Sequence, residues 1–166
     1  MATGPRYAVK FRRRREGKTS YKTRLALLKS NLPRLVIRKT NSQIIAQIVD
    51  YKEKGDLTKA HVNSKDLQKL DWKNSISNTP AAYLTGLLLG KKAKDKKIKK
   101  AVLDLGLQSS TKGNKLYAAL KGVLDAGIEI PHDTKLFPSE ERIKGEHLKD
   151  KKVAQDFEKL KNKLIK

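Results

Sequence analysis

The 166-residue sequence contains no cysteine and few acidic or aromatic residues. Without cysteine the chain has no disulfide, no thiolate metal ligand and no cysteine nucleophile, which is typical of proteins from a reducing cytoplasm. Long hydrophobic runs are missing as well: no apolar segment approaches the roughly 20 residues that a membrane-spanning helix needs. The basic start has no apolar stretch behind it, so no signal peptide is predicted. We therefore expect a cytoplasmic protein without membrane contact.

Positive charge is what the sequence has in excess. There are 39 lysines and arginines against 17 acidic residues, which gives a formal net charge of +22. Hydrophobic residues make up 37% of the chain, enough for one modest core, and the length favours one domain. Because a charge of this size repels itself unless a polyanion neutralises it, the composition predicts a polyanion-binding protein.

The positive charge is concentrated in three segments. Residues 1–24 hold nine basic residues and one acid, residues 91–100 hold seven lysines and one acid, and residues 149–166 form a lysine-rich tail. Residues 125–150, in contrast, hold seven acids and four bases. The contrast predicts that one end of the protein faces the polyanion, while the acidic segment faces protein or solvent.

The pattern of apolar residues predicts a single α/β domain, close to the α+β class, with a mixed sheet covered by helices. Residues 1–17, the arm, are predicted to be a basic N-terminal extension that is disordered in isolation. Residues 18–132 are predicted to form the core. Residues 133–166 are predicted to form a helical C-terminal segment, anchored by Phe157, Leu160 and Leu164.

Within the core, two β-rich runs at residues 34–39 and 43–51 flank a polar turn and predict a hairpin. Further strands are predicted at residues 57–62, 100–106 and 128–130, the last two in a β-α-β-like passage. Helices are predicted at residues 19–30 with Thr19 as the cap, at 64–70, at 78–97 with Pro80 in the first turn, and at 114–126 with Gly127 as the terminating residue.

The clearest functional signal is the arginine block at residues 12–15. Guanidinium groups stay charged and bind phosphate oxygens through a bidentate fork. Tyr7, Phe11 and Tyr21 are interleaved with the basic residues, and aromatic rings can stack on unpaired bases. The pattern predicts a nucleic-acid-binding arm, with a targeting signal or a solvated charge run as the alternative.

Two polar loops carry residue types that contact phosphate and ribose. The turn R-K-T-N-S-Q at residues 38–43 combines cations with amides and hydroxyls, which favours RNA but also fits an ordinary polar turn. The loop S-S-T-K-G-N-K at residues 109–115 precedes a predicted helix, whose free N–H groups can bind a phosphate. It is not a Walker loop, because that motif needs a second glycine and a Ser or Thr after Lys115.

Asp104 is the best enzymatic candidate. A strand-borne carboxylate followed by glycine is found in metal-dependent nucleases, and Asp50 or Asp125 could complete a two-cation site. No second acid has a diagnostic spacing, so the alternative is a partly buried aspartate bonded to backbone N–H groups. The three histidines stand alone, without a second ligand type nearby: His61, His132 and His147. We expect no metal, no cofactor and no small-molecule substrate.

Seven segments follow one another in an order that spans nearly the whole chain. They are M-A-T-G-P-R-Y at residues 1–7, R-R-R-R-E-G at 12–17, residues 21–28, P-R-L-V-I-R-K-T-N-S-Q-I-I-A-Q at 33–47, N-T-P-A-A-Y-L-T-G-L-L-L-G at 78–90, A-V-L-D-L-G-L at 101–107 and D-A-G-I-E-I-P-H at 125–132. The ordered set resembles the archaeal branch of the large-subunit ribosomal protein eighteen family, which binds 5S rRNA. No single motif among them is diagnostic.

The resemblance implies a structural, non-enzymatic role in the ribosome. The protein would attach 5S rRNA to the large-subunit rRNA in the central protuberance, beside neighbouring ribosomal proteins. The predicted RNA-binding residues are Arg6, Tyr7, Lys10, Arg12, Arg13, Arg14, Arg15, Tyr21, Arg24, Arg38, Lys39, Thr40, Asn41, Gln43, Lys112, Asn114 and Lys115. The resemblance assigns no contact to the lysines of residues 91–100 or of the tail. A general DNA-compacting protein is the remaining alternative.

Overall fold

The structure is a computed structural model that describes residues 4–148 and 152–165. Residues 1–3, 149–151 and 166 lie outside the described range, and with them the first residues of the arm and parts of the predicted acidic segment and lysine-rich tail. Among the described residues, every helix is too short or too polar to cross a bilayer.

Within the described residues, four strands form one mixed sheet in the order β3–β2–β1–β4. Strands β1 (Arg34–Lys39), β2 (Ile44–Asp50) and β3 (Leu57–Asn63) form an antiparallel meander, and β4 (Val102–Asp104) pairs parallel to β1. Lys39 pairs with Ile44, which closes the first hairpin around the polar turn. The predicted hairpin, third strand and mixed sheet are therefore confirmed.

The helices are α1 (Arg12–Arg15), α2 (Tyr21–Leu28), α3 (Thr79–Asp95), α4 (Lys115–Asp125), α5 (Glu140–Lys144) and α6 (Lys152–Ile165), with 3₁₀ helices at Ser64–Leu70 and Thr134–Leu136. An asparagine caps each of the two central helices: Asn78 Oδ1 accepts from the Ala81 N–H, and Asn114 Oδ1 accepts from the Leu116 N–H. Pro80 lies in the first turn of α3, as predicted.

One face of the sheet packs against α3 and α4. The side chains of Leu35, Ile37 and Ile48 are fully buried in this layer. Helices α3 and α4 approach each other closely at glycine: a Cβ on Gly86 would lie 1.9 Å from the Ala119 carbonyl oxygen. This close packing brings the first turns of both helices to the same end of the domain as the β1–β2 turn.

Helix α6 packs its apolar side against α3. The predicted anchors Phe157, Leu160 and Leu164 are buried, and the Phe157 ring lies 5.4 Å from the Tyr83 ring, centroid to centroid. The expected helical C-terminal segment is thus confirmed for its described residues.

The structure corrects the predicted strands at residues 100–106 and 128–130. Strand β4 is limited to three residues, because the chain turns at Gly106, whose φ is +64°. Residues 128–130 form no strand: Glu129 makes a single parallel bridge to Lys100, and Pro131 follows directly. The predicted β-α-β-like passage is therefore wrong in its second strand.

The structure also differs from the sequence prediction in the arm and at the start of α2. Residues 12–15, predicted to be disordered, form one helical turn that buries no side chain. Ser20, and not Thr19, caps α2, and the Thr19 hydroxyl instead accepts a hydrogen bond from Arg13 Nε at 2.8 Å.

Candidate nucleic-acid interface

The arm is exposed along its described length. Every residue from 4 to 18 is open to solvent, including the ring of Tyr7 and the side chains of Arg6 and Lys10. Among the described residues, Arg14 and Arg15 have no side-chain hydrogen bond or ion pair, whereas Arg12 lies 3.6 Å from Glu16. Arg14 and Arg15, half of the arginine block, are therefore free to take an external anion.

An aromatic contact joins the arm to α2. The rings of Phe11 and Tyr21 lie 5.1 Å apart, centroid to centroid, and are tilted by 51°. Both rings remain partly or largely exposed. Phe11 and Tyr21 thus lie beside the arginine block, where their rings can stack on bases.

A chain of five alternating charges, the ionic ladder, crosses the sheet on the face opposite to α3 and α4. It consists of Arg24, Asp56, Arg34, Asp104 and Arg38. Side chains alternate along a strand, so Arg34 and Arg38 point away from the core face that Leu35 and Ile37 occupy. The ladder connects α2, the β2–β3 turn, β1 and β4.

The first half of the ladder fastens α2 to the sheet. Arg24 Nη2 lies 2.9 Å from both carboxylate oxygens of Asp56, and Arg34 Nη2 lies 2.5 Å from Asp56 Oδ2. Helix α2 buries no side chain of its own. The Asp56 carboxylate is therefore a principal attachment of α2.

The second half of the ladder surrounds Asp104. Its carboxylate accepts hydrogen bonds from Arg34 Nη1 at 2.8 Å, from Arg38 Nη2 at 2.9 Å and from the Gly106 N–H at 2.9 Å. Burial by itself would raise the pKa of Asp104, but these donors, with Arg38 foremost, hold it below its usual value. Asp104 is an ionised structural group.

This geometry does not fit the nuclease alternative. Two guanidinium groups already occupy the Asp104 carboxylate, and within the part of the chain that the structure describes no three acidic or histidine side chains cluster as metal ligands do. The alternative of a buried aspartate bonded to a backbone N–H, raised from the sequence, is the one that the geometry matches.

Arg24 and Arg38 were predicted to bind RNA, and the structure places both in the ladder. Arg38 also donates to the main-chain oxygens of Ile37 and Asp104, at 2.9 and 2.6 Å. Both side chains remain about one-third exposed, at 32% and 35%. An RNA contact by either residue stays a prediction, and a structural role is the one that the contacts define.

The structure brings the β1–β2 turn and the loop before α4 together. Lys39 Nζ lies 3.3 Å from Asn114 Oδ1, and the Gln108 amide exchanges hydrogen bonds with the main chain of Lys39, at 3.2 and 2.7 Å. Between the turn and the loop lies a polar cavity of about 500 Å³, the cation cavity. Its lining residues are Lys39, Thr40, Asn41, Thr79, Thr111, Lys112, Gly113, Asn114, Lys115 and Arg142.

Six predicted RNA-binding residues therefore share one site, while Gln43 does not line it and accepts instead from Asn63 Nδ2 at 3.0 Å. No described arm residue lines the cavity. Arg142 and Thr79 also line the cavity and were not predicted from the sequence. Arg142 is a base within an acidic segment, and Thr79 was considered only as part of a helix start.

Two lysines from residues 91–100 cover the edge of the sheet. Lys92 Nζ donates to the His61 carbonyl oxygen at 3.4 Å, and Lys96 Nζ donates to the Lys59 carbonyl oxygen. Both acceptors belong to β3, the outer strand of the meander. Charged side chains along an exposed edge hinder pairing with another chain, so part of this cluster has a structural role.

An α/β domain with an exposed arginine-rich arm and a cavity lined by cations, and without a catalytic cluster among its described residues, has the features of a polyanion-binding scaffold protein. Comparison with known proteins defines it further. The family model described as ribosomal large subunit proteins 60S L5 and 50S L18 matches residues 5–100 and 90–133. The chain belongs to this family.

Curated relatives agree with this assignment. The chain is 55% identical over 148 residues to large ribosomal subunit protein uL18 of Korarchaeum cryptofilum (strain OPF8), an alignment that covers 89% of this chain and 76% of the relative. It is 47% identical over 168 aligned positions to uL18 of Methanothrix thermoacetophila, with 99% of each chain covered. The chain is thus a structural protein of the large ribosomal subunit and not an enzyme, and its place is the cytoplasmic ribosome.

Proposed function

We propose that the chain binds 5S rRNA and attaches it to the large-subunit rRNA in the central protuberance. The observation that carries the proposal is the pairing state of its basic residues. The ladder uses three arginines internally, whereas most of the arm and the cations of the cavity have no acidic partner among the described residues. These unpaired cations are the groups available to RNA phosphates.

Binding is proposed to follow from electrostatic positioning. The folded core presents the β1–β2 turn and the cation cavity as a preformed surface. The arm adds exposed guanidinium groups and aromatic rings that order against RNA, and the release of counterions from phosphates offsets the entropy lost on ordering. Ribosomal proteins and large-subunit rRNA are the further partners that the family implies.

The direct test is to purify the tagged full-length chain from cells and to size and sequence the RNA that accompanies it. We expect 5S rRNA as the enriched small species after a moderate-salt wash. A matched control is the variant in which residues 12–15 are all alanine, which should retain less of that RNA. Recovery of chromosomal DNA, or of unselected RNA in proportion to its abundance, would contradict the proposal and favour a general nucleic-acid-compacting role.

A further inference from the structure

We infer that the cation cavity is a binding site for a single backbone phosphate group of the bound RNA, and that Arg142 of α5 supplies one of its four cations. The inference rests on the proposed function, because it assigns a ligand group to part of that surface. The inference adds Arg142, from the acidic C-terminal segment, to residues of the two loops in which RNA contacts were predicted from the sequence.

Four cations from different parts of the chain line the cavity, and no acidic residue does. They are Lys39 at the end of β1, Lys112 in the loop, Lys115 at the start of α4 and Arg142 in α5. Among the described residues, none of the four forms an ion pair, although twelve such pairs occur elsewhere in the described structure. Cations gathered without a counter-charge repel one another and favour a bound anion.

The helix geometry adds to this preference. Thr79 and Lys115 are the first residues of α3 and α4, and both line the cavity, so two helix N-termini open on the same space. Each helix exceeds ten residues, and the N-terminal end of a helix carries partial positive charge and free N–H donors. Both dipoles therefore favour a negative ligand at this position.

The Thr79 hydroxyl offers a donor to a ligand in the cavity. Thr79 is 7% exposed, and its hydroxyl has no hydrogen-bond partner among the residues that the structure describes. The hydroxyl oxygen itself is accessible, since among the described residues Arg34 Nε is the one fully enclosed side-chain nitrogen or oxygen without a partner, and Thr79 lines the cavity. A phosphate oxygen within the cavity would accept from this hydroxyl.

The walls of the cavity are held by contacts that do not depend on a ligand. Asn114 Oδ1 accepts from the Leu116 N–H and from Lys39 Nζ, and the Gly113 N–H donates to the Leu136 carbonyl oxygen at 3.0 Å. The φ of Gly113 is +72°, a conformation that glycine adopts without strain. At about 500 Å³ the cavity lies within the range of about 300–1,000 Å³ found for small-ligand sites, enough for a phosphate with part of its ribose.

The experiment compares two single-charge variants of the full-length chain. Arg142→Ala removes an exposed cavity cation, and Lys144→Ala removes a cation from the same helix outside the cavity. Binding of 5S rRNA is measured for both variants and for wild type over a series of KCl concentrations. We expect Arg142→Ala to weaken binding roughly tenfold and to reduce the slope of log K against log salt by about one, and Lys144→Ala to change affinity less than about twofold.

Ethylation interference supplies a second readout. Ethylating one RNA phosphate removes its charge, so we expect one or two positions whose ethylation weakens binding by wild type and by Lys144→Ala clearly more than binding by Arg142→Ala, which has already lost one of the four cations. Equal affinities, slopes and interference patterns for Arg142→Ala and Lys144→Ala would overturn the phosphate site.

A different result would contradict the proposed function without contradicting the phosphate site: wild type would bind 5S rRNA no better than a shuffled RNA of the same length. In that case the comparison of the two variants on the RNA that wild type does bind still decides the site. A chain that binds no RNA at all would overturn both.

Discussion

Arg34 Nη1 lies 2.8 Å from Asp104 Oδ2, across the parallel strands β1 and β4. Both side chains are almost fully buried, at 5% and 9% exposure. The contact places Asp104, the best candidate for enzymatic chemistry, inside an ionic ladder that holds the sheet and α2 together. The three arginines of the ladder are paired with acids and support the fold, whereas the cations of the cavity have no acidic partner among the described residues and remain available to RNA.

Replacing Asp104 by asparagine should destabilise the fold strongly. The substitution preserves shape but leaves the buried Arg34 guanidinium without its full counter-charge, and breaking a buried pair costs about 3–5 kcal/mol. Urea denaturation measures the effect. Asp71→Asn is the control, since Asp71 is exposed in a left-handed conformation that asparagine tolerates, and it should change stability by less than about 0.5 kcal/mol. Equal effects of the two variants would contradict the structural role of Asp104.

The contribution of Asp104 should also depend on pH. Its pKa is lower in the folded state than the roughly 3.9 of an unfolded aspartate. Its stabilisation is therefore fully present above about pH 4 and is lost as the pH falls through the folded-state pKa. We expect the difference in unfolding free energy between wild type and Asp104→Asn to shrink on acidification from pH 6 to pH 2. A difference that stays constant over this range would show that ionisation of Asp104 is not involved.

The arginine block should affect RNA binding and leave the fold unchanged. Changing residues 12–15 to alanine removes four exposed charges from a helical turn that buries nothing. We expect the slope of log K against log salt for 5S rRNA binding to become shallower, by the amount that corresponds to the loss of roughly two to four phosphate contacts. The melting temperature followed by circular dichroism should shift by less than about 2 °C.

Changing the same four residues to lysine is the matched control for the arm. Lysine keeps the charge and loses the bidentate fork, so the salt slope should stay near that of wild type while affinity falls to an intermediate value. If the alanine variant unfolds instead, the arm is part of the core and the division between arm and core is wrong.

Gly86→Ala should lower stability even though alanine is the better helix former. A Cβ at this position would lie 1.9 Å from the Ala119 carbonyl oxygen, so α3 and α4 would have to move apart. Overpacking of this kind costs about 1–3 kcal/mol, whereas helix propensity alone would stabilise by up to about 1 kcal/mol. The sign of the change in melting temperature decides whether overpacking or helix propensity dominates. An increase would contradict the close packing of α3 and α4.

Local features of the fold were predictable from the sequence because their causes are local. The β-branched runs around the turn at residues 40–42, and Pro80 in the first turn of α3, act through neighbouring residues. The strand predicted at residues 128–130 was wrong, because strand pairing depends on distant partners and on the proline that follows at Pro131.

The candidate site was predictable only in its parts. Arg38 looked like an RNA ligand, yet its partner Asp104 lies 66 residues away and is set by the register of β1 against β4. The β1–β2 turn and the loop before α4 were predicted as two separate RNA contacts, and in the structure they line one cavity. Arg142 could not be predicted, because it is one of four bases in a segment with seven acids, and only the packing of α5 brings it to the cavity.

Equilibrium competition for labelled 5S rRNA distinguishes selective binding of 5S rRNA from general binding of polyanions. Wild-type protein is titrated at physiological ionic strength with unlabelled 5S rRNA, a shuffled RNA of equal length, and duplex DNA of matched charge. We expect unlabelled 5S rRNA to displace the label at far lower concentration than the other two competitors, and log K to fall linearly with log salt. Equal displacement by all three competitors would contradict selective binding of 5S rRNA.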